Sequence, residues 1–203
     1  MCEPTAIEFD FVEGAYSWPP RPEIISIYGA SQPSLSYYDG SAPSALTAID
    51  DLAAYVTENG PYSAVIGFSM GGSLAATLLL RPHDGEADRP AWAVARNMIR
   101  SAVFLSSTRP WNTMELRQGR MEKVSSSQVG LLGRWNSIHQ PTVHIRSPAD
   151  PETIGESDEL SQMCQENRRG KAAHTAGHAV PADPAHVKVA ATAIQKLLAA
   201  LED

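Results

Sequence analysis

At 203 residues, with 43% hydrophobic and 19% charged side chains, the chain has the size and composition of one domain with a sizeable core. A formal charge of −7 leaves no basic surplus to neutralise phosphates, which sets aside nucleic acid as a partner. Two cysteines, Cys2 and Cys164, are too few for a disulfide framework or a zinc site, and no apolar run is long enough for a membrane span or a signal peptide. A cytoplasmic protein without metal or cofactor is the expectation.

In chain order, Ile7–Val12 alternates apolar and acidic residues before Gly14 and reads as a strand. The proline-rich Trp18–Pro22 is extended, Ile24–Tyr28 is a candidate short strand, and Ser31–Gly40 is loop. Within that loop Tyr37 and Tyr38, with Trp18, are candidates to line a substrate pocket; a loop packed on its own aromatics is the alternative. Pro43–Asn59 is a helix with the stripe Leu46, Ile49, Leu52, Ala53 and Val56, stopped by Gly60-Pro61. Ala64–Phe68 carries no charge and is β-branched at its centre, as a buried strand would be. Ser73–Leu80 reads as a buried helix closed by Pro82, and Arg81–Pro90 as a polar loop. Ala102–Ser106 is the next strand. The mixed segment 108–138 is either a cap over a pocket or an ordinary crossover. Thr142–Ile145 is a strand, Ser157–Asn167 a helix and Lys171–His174 the last strand. Asp183 caps and Pro184 opens a final helix whose stripe is Val187, Ala190, Ala191, Ile194, Leu197, Leu198 and Leu201. Strands and helices alternate, which predicts a mainly parallel sheet with helices on both faces, built as one domain over residues 1–203.

The chemistry centres on Gly67-Phe68-Ser69-Met70-Gly71, a G-x-S-x-G pattern placed between a strand and a helix. Glycines beside the serine let backbone approach without a Cβ clash, and the helix start turns a partial positive charge toward an oxyanion on Ser69. A structural Gly-Ser turn is the competing reading. A serine hydroxyl needs a base, and an acid and a histidine follow Ser69, each just past a strand end. The histidine is His178, which Gly177 lets turn inward and Pro181 follows. His174 is its rival; a metal pair of His174 and His178 is disfavoured because Gly177 and Pro181 oppose a helix. The acid is Asp150, with Glu152, Glu156 and Asp158 as rivals, while Asp183 already has a capping role.

Asn59-Gly60-Pro61-Tyr62 leading into Gly67–Gly71, with Asp150 and the His174-x-x-Gly177-His178-x-x-Pro181 ending, resembles the fungal serine hydrolase family. Members of that family include trans-acting thioesterases that release products from fungal polyketide synthases. Glu13-Gly14, Tyr28-Gly29 and Tyr37-Tyr38-Asp39 also sit where such proteins have similar residues. The resemblance implies an α/β-hydrolase fold and an ester or thioester substrate. It carries catalytic roles onto Ser69, Asp150 and His178 and makes the Met70 backbone N–H one oxyanion donor; Ser106 is a further candidate substrate contact. One feature departs from the family. Its members begin with a strand ending in a His-Gly pair, and this chain holds no His-Gly pair. The first strand and helix of the family core are therefore expected to be lacking. Three outcomes then follow: direct pairing of the flanking strands, a neighbouring chain filling the gap as in a homodimer, or a longer gene. The second oxyanion donor would come from another N–H, such as one near Gly14.

The leading functional expectation is a cytoplasmic serine hydrolase acting on a small-molecule or carrier-bound acyl ester or thioester, with a polyketide synthase acyl carrier as a candidate partner. The alternatives are a non-hydrolytic acyl- or partner-binding descendant, or an isomerase or cyclase that uses His178 as a base.

Overall fold

A computed structural model describes residues 7–20, 25, 29, 33–83, 89–130 and 133–202. Contacts divide the chain into two compact units, Met1–Asp39 and Gly40–Asp203.

In the first unit, β1 (Tyr16–Ser17) pairs antiparallel with β2 (Leu35–Ser36). Gly14 lies so close to this ribbon that a Cβ on it would meet Ser36 O at 2.4 Å. The Tyr37 hydroxyl donates to Val12 O at 3.2 Å, and Ser36 Oγ donates to Tyr38 O at 2.7 Å. Ile7–Val12 forms no strand, contrary to the alternation in its sequence. Alternation specifies which side chains share a face, but a strand also needs a neighbour for its backbone groups. Here Phe9 and Phe11 stack on one another, 6.3 Å apart, and stand 61% and 85% exposed. Ile24–Tyr28 lies outside the described residues except for Ile25.

The second unit holds the parallel sheet. Its elements run α1 (Ala42–Asn59), β3 (Val65–Phe68), α2 (Met70–Leu79), β4 (Arg81–Pro82), α3 (Pro90–Asn97), β5 (Ala102–Leu105) and α4 (Thr113–Arg117). They continue with β6 (Trp135–Asn136), β7 (Thr142–Arg146), α5 (Ile154–Gln162), β8 (Arg169–Ala173) and α6 (Pro184–Ala199). The sheet order is β3-β5-β7-β8, all parallel, so among the described residues β3 and β8 are its edges. Registered residues share a face. Ile66, Val103, Val143 and Gly170 form one row and Phe68, Leu105, Ile145 and Ala172 the next; α6 packs Ala190, Ala193, Ile194 and Leu197 against Val103, Leu105, Val143, Ile145 and Ala172, while Ile66 and Phe68 are partly exposed.

α1 forms as its stripe requires. Ser41 caps it by accepting from Ser44 N–H, Ile49, Leu52, Ala53 and Val56 are buried, and Gly60 N–H closes on Val56 O at 2.9 Å. Several boundaries differ from expectation. Pro82 sits in β4, paired antiparallel to β6 of the 108–138 segment, a two-strand ribbon that tolerates its missing N–H. α3 begins at Pro90, where the expected loop ends, in a stretch for which no element was expected; only Trp92, Ala95 and Arg96 of its eight residues are buried, too few to show a period. α5 begins at Ile154 rather than Ser157, because Asp150 O accepts from Ile154 N–H and Thr153 O from Ser157 N–H. It ends at Gln162, and Asn167 belongs to a 3-10 turn. On α6, Val187 is 43% exposed and Ala191 also faces solvent, so the buried strip is narrower than the stripe predicted. Ala190 and Ala193 are small enough to bring the helix close along one line.

Candidate active site

Ser69 follows β3 and directly precedes α2. Its backbone lies at φ 50°, ψ −115°, a conformation unusual for a residue with a Cβ. The turn is held at both ends. Ser69 N–H continues the ladder to Leu105 O at 2.9 Å, and Ser69 O accepts Ser73 N–H at 3.1 Å as the first helical bond. Glycine is required where the strand and helix cross: a Cβ on Gly67 would lie 2.4 Å from Gly72 Cα, and one on Gly72 would lie 1.8 Å from Ser107 Oγ. Gly72 stands one residue beyond the G-x-S-x-G pattern. Ser107 completes the brace by donating from Oγ to Gly67 O at 3.1 Å.

Ser69 Oγ lies 3.0 Å from His178 Nε2, and His178 Nδ1 lies 2.8 Å from Asp150 Oδ2. Asp150 follows β7 and is 1% exposed. Burial opposes its ionisation, but the Thr153 hydroxyl, His178 and the Thr153 backbone N–H, all bonded to it, hold its carboxyl below the usual 3.8. Oδ1 accepts from Glu152 N–H and Thr153 N–H at 3.0 and 3.2 Å, and Oδ2 accepts from Thr153 Oγ1 at 2.5 Å. An ionised Asp150 can only accept. His178 therefore carries its proton on Nδ1 and offers Nε2 as the acceptor for the Ser69 hydroxyl.

His178 sits in the loop between β8 and α6. Gly177 adopts φ 65°, as the freedom of glycine allows, and its N–H donates to Ser147 Oγ at 3.2 Å. Ser147 Oγ also accepts from Ala149 N–H, so one hydroxyl ties the loop of the base to the loop of the acid. The Phe68 ring lies 5.1 Å from the imidazole. His174, the rival, immediately follows β8, is buried, and uses Nδ1 to accept Ala176 N–H at 3.2 Å. Burial, and secondarily the charge of His186, lowers its pKa, so His174 is a neutral prop of the loop. His144 is sealed within β7, where burial and the charges of Lys171, Arg169 and Arg146 push it down to about 3.

Two of the rival acids, and Asp183, are occupied elsewhere. Glu156 pairs with Lys123 at 2.6 Å and accepts Arg109 N–H, Asp158 pairs with Arg146 at 2.8 Å, and Asp183 caps α6. The Lys123 and Arg109 contacts also fasten segment 108–138 to α5. Met70 opens α2 next to Ser69. Ser106, considered as a substrate contact, is enclosed at 1% exposure with φ 40°. Tyr37 and Tyr38 belong to the first unit, where burial raises the Tyr37 pKa. Sequence reasoning missed Gly72, Ser107, Ser147 and Thr153. Of these only the Gly71-Gly72 doublet left a signal.

A family model described as "Serine hydrolase (FSH1)" matches residues 1–190. Among curated proteins, the chain is 32% identical over 192 residues to "Esterase FPY3" of Fusarium mangiferae, covering 94% of this chain and 82% of that one. It is 28% identical over 207 residues to "Hydrolase phiM" of Talaromyces stipitatus, covering 94% and 74%. Among solved structures it is similar to a Bacillus cereus carboxylesterase at TM-score 0.48 and 15% identity, covering 91% of this chain and 73% of that one. Acyl-protein thioesterase 2 of Zea mays gives 0.49 and 16%, covering 85% and 76%. With its parallel sheet flanked by helices, the chain is an α/β-hydrolase-like enzyme and belongs to the FSH1 serine hydrolase family.

Proposed function

We propose that the protein cleaves an acyl ester or thioester through an acyl-Ser69 intermediate. The observation that carries this reading is the continuous chain Ser69 Oγ to His178 Nε2 at 3.0 Å and His178 Nδ1 to Asp150 at 2.8 Å. His178 takes the Ser69 proton as Oγ bonds to the acyl carbon. Asp150 keeps the imidazole in the required tautomer and stabilises the imidazolium. The tetrahedral oxyanion is met by the Met70 N–H at the positive end of α2. Collapse breaks the bond to the leaving thiol or alcohol, which departs with the proton from His178. Water, or a hydroxyl of the acyl chain itself, then enters with His178 again as base. The second route gives a lactone.

A carrier-bound thioester in secondary-metabolite assembly is the donor we favour, supported by the resemblance to the trans-acting fungal thioesterases. An acyl carrier domain would then be the partner. The test is fluorophosphonate labelling of folded protein, followed by assay against p-nitrophenyl esters and N-acetylcysteamine thioesters of graded length. Covalent modification at Ser69 and a higher kcat/KM for thioesters are expected. A folded sample that is neither labelled nor active would instead support an acyl-binding descendant.

A further inference from the structure

Two consecutive backbone N–H groups lead into the base, and each is held by a side chain. Gly177 N–H donates to Ser147 Oγ at 3.2 Å, and Ala176 N–H donates to His174 Nδ1 at 3.2 Å. Together they fix the turn that carries His178 to Ser69. The two acceptors differ in one respect. A serine oxygen accepts at every pH, whereas an imidazole nitrogen accepts only while it holds no proton.

His174 is 2% exposed, and its backbone N–H donates to Arg146 O at 3.0 Å where β8 ends. Because Nδ1 accepts, the proton of the neutral ring is on Nε2, which has no hydrogen-bond partner among the described residues. A bare buried donor is a cost that an apolar side chain would avoid, and the bond from Ala176 offsets it. Asparagine would supply the same acceptor to the N–H two residues on. What the imidazole adds is an acceptor that a proton removes.

The groups around the ring set when that happens. Burial, and then His186, whose ring on α6 meets it edge-on at 6.3 Å, disfavour a second proton. The Asp150 carboxylate, from the loop after β7, favours one and is outweighed. His186 in turn lies 3.6 Å from Asp183, and Arg146 turns its guanidinium to Asp158 at 2.8 Å. His174 is therefore neutral at pH 7 and is protonated only below the ordinary histidine value of 6.5.

We infer that His174 is a positioning residue whose proton state gates the triad. Neutral, it fixes Ala176 N–H and with it the approach of His178 to Ser69. Protonated at Nδ1, it faces that N–H with a second donor and releases the turn. The inference rests on the acyl-Ser69 reading, since the alignment of His178 is what is gated.

Two measurements test it. In the first, long-range ¹H–¹⁵N spectra of the folded protein should show His174 as the Nε2–H tautomer at neutral pH, and the Ala176 amide proton should shift as His174 titrates. This spectrum reads the gate whether or not the protein hydrolyses an ester. In the second, the acid limb of log kcat/KM should approach a slope of about 2 in the wild type, one proton each for His178 and His174, and about 1 in His174→Asn. His174→Leu, which keeps no acceptor, should lose about 10- to 100-fold in kcat/KM above neutrality, and His174→Asn should recover most of that loss. An Nδ1–H tautomer, an Ala176 amide indifferent to the titration, or a wild-type limb that stays at one proton as far as the fold persists would each overturn the proposal. A protein with the expected spectrum but no hydrolysis and no labelling of Ser69 would instead overturn the acyl-Ser69 reading.

Discussion

Ser69 and Ser106 end neighbouring parallel strands, and both have positive φ, at 50° and 40°. The same backbone departure serves two purposes. At Ser69 it lifts a hydroxyl off the end of β3 and onto His178. At Ser106 the hydroxyl is enclosed and has no hydrogen-bond partner among the described residues. The backbone carries the second role. Ser106 N–H still donates to Ile145 O at 2.9 Å, while the turn aims the next side chain, Ser107, at Gly67 O and over Gly72. One kink exposes a nucleophile; the other braces the turn that exposes it.

If that division holds, the largest effects belong to the first kink. Ser69→Ala and His178→Ala should each lower kcat/KM by about 10⁴-fold or more, with the double variant scarcely worse, because the pair acts as a unit. Retained activity in His178→Ala, with His174→Ala inactive, would move the base one turn back along the chain.

Asp150→Asn comes next, with kcat down by roughly 10³ to 10⁴ through loss of the imidazole tautomer. It also carries a stability signature. The carboxyl is held below 3.8 in the folded state, so its contribution is present above that value and is lost as pH falls through the lower folded pKa. Denaturant midpoints of the wild type should fall in that acid window more steeply than those of Asp150→Asn. Parallel curves would mean that the Thr153 and His178 bonds contribute nothing net.

Gly72→Ala tests the brace. Its Cβ would fall 1.8 Å from Ser107 Oγ, so a destabilisation of about 1–3 kcal/mol is expected, with slower labelling of Ser69. Removing the obstructing side chain in Gly72→Ala/Ser107→Gly should recover part of the stability but not the labelling rate, since the bond to Gly67 O stays lost. An additive double variant would show that the two positions do not meet.

How much of this was readable in sequence follows from the range of each interaction. α1, the four sheet strands and the capped start of α6 were legible because period and caps are local properties. That Ser69, Asp150 and His178 would come together was legible because a parallel sheet gathers its strand ends at one edge, whatever the loops do. Ile7–Val12 misled because its alternation is local and its pairing is not. Ser107, Ser147 and Thr153 were invisible for a different reason. Each acts through a contact with backbone or side chain remote in sequence or specific to one turn, and serine and threonine are common enough that type alone carries no signal.

The smallest expected effect sharpens the comparison most. Glycine at either kink relieves a positive-φ strain of about 1–2 kcal/mol and costs about 0.5–1 in chain entropy. At Ser106 it also removes an enclosed, unpartnered hydroxyl, a group that typically costs about 1–3 kcal/mol. Ser106→Gly should therefore raise stability by at least about 1 kcal/mol, or roughly 2–4 °C or more in Tm for a chain of this size. Ser69→Gly should gain less, since its hydroxyl is bonded, and should abolish turnover. Ser106→Ala separates the two contributions at Ser106: it removes the hydroxyl and keeps the strain. With kcat and KM within about twofold of wild type in both Ser106 variants, the second kink is a brace alone. A KM raised severalfold in Ser106→Ala and Ser106→Gly alike, with kcat preserved, would instead make the enclosed hydroxyl a substrate contact that opens on binding, and the two serines would share a function as well as a backbone.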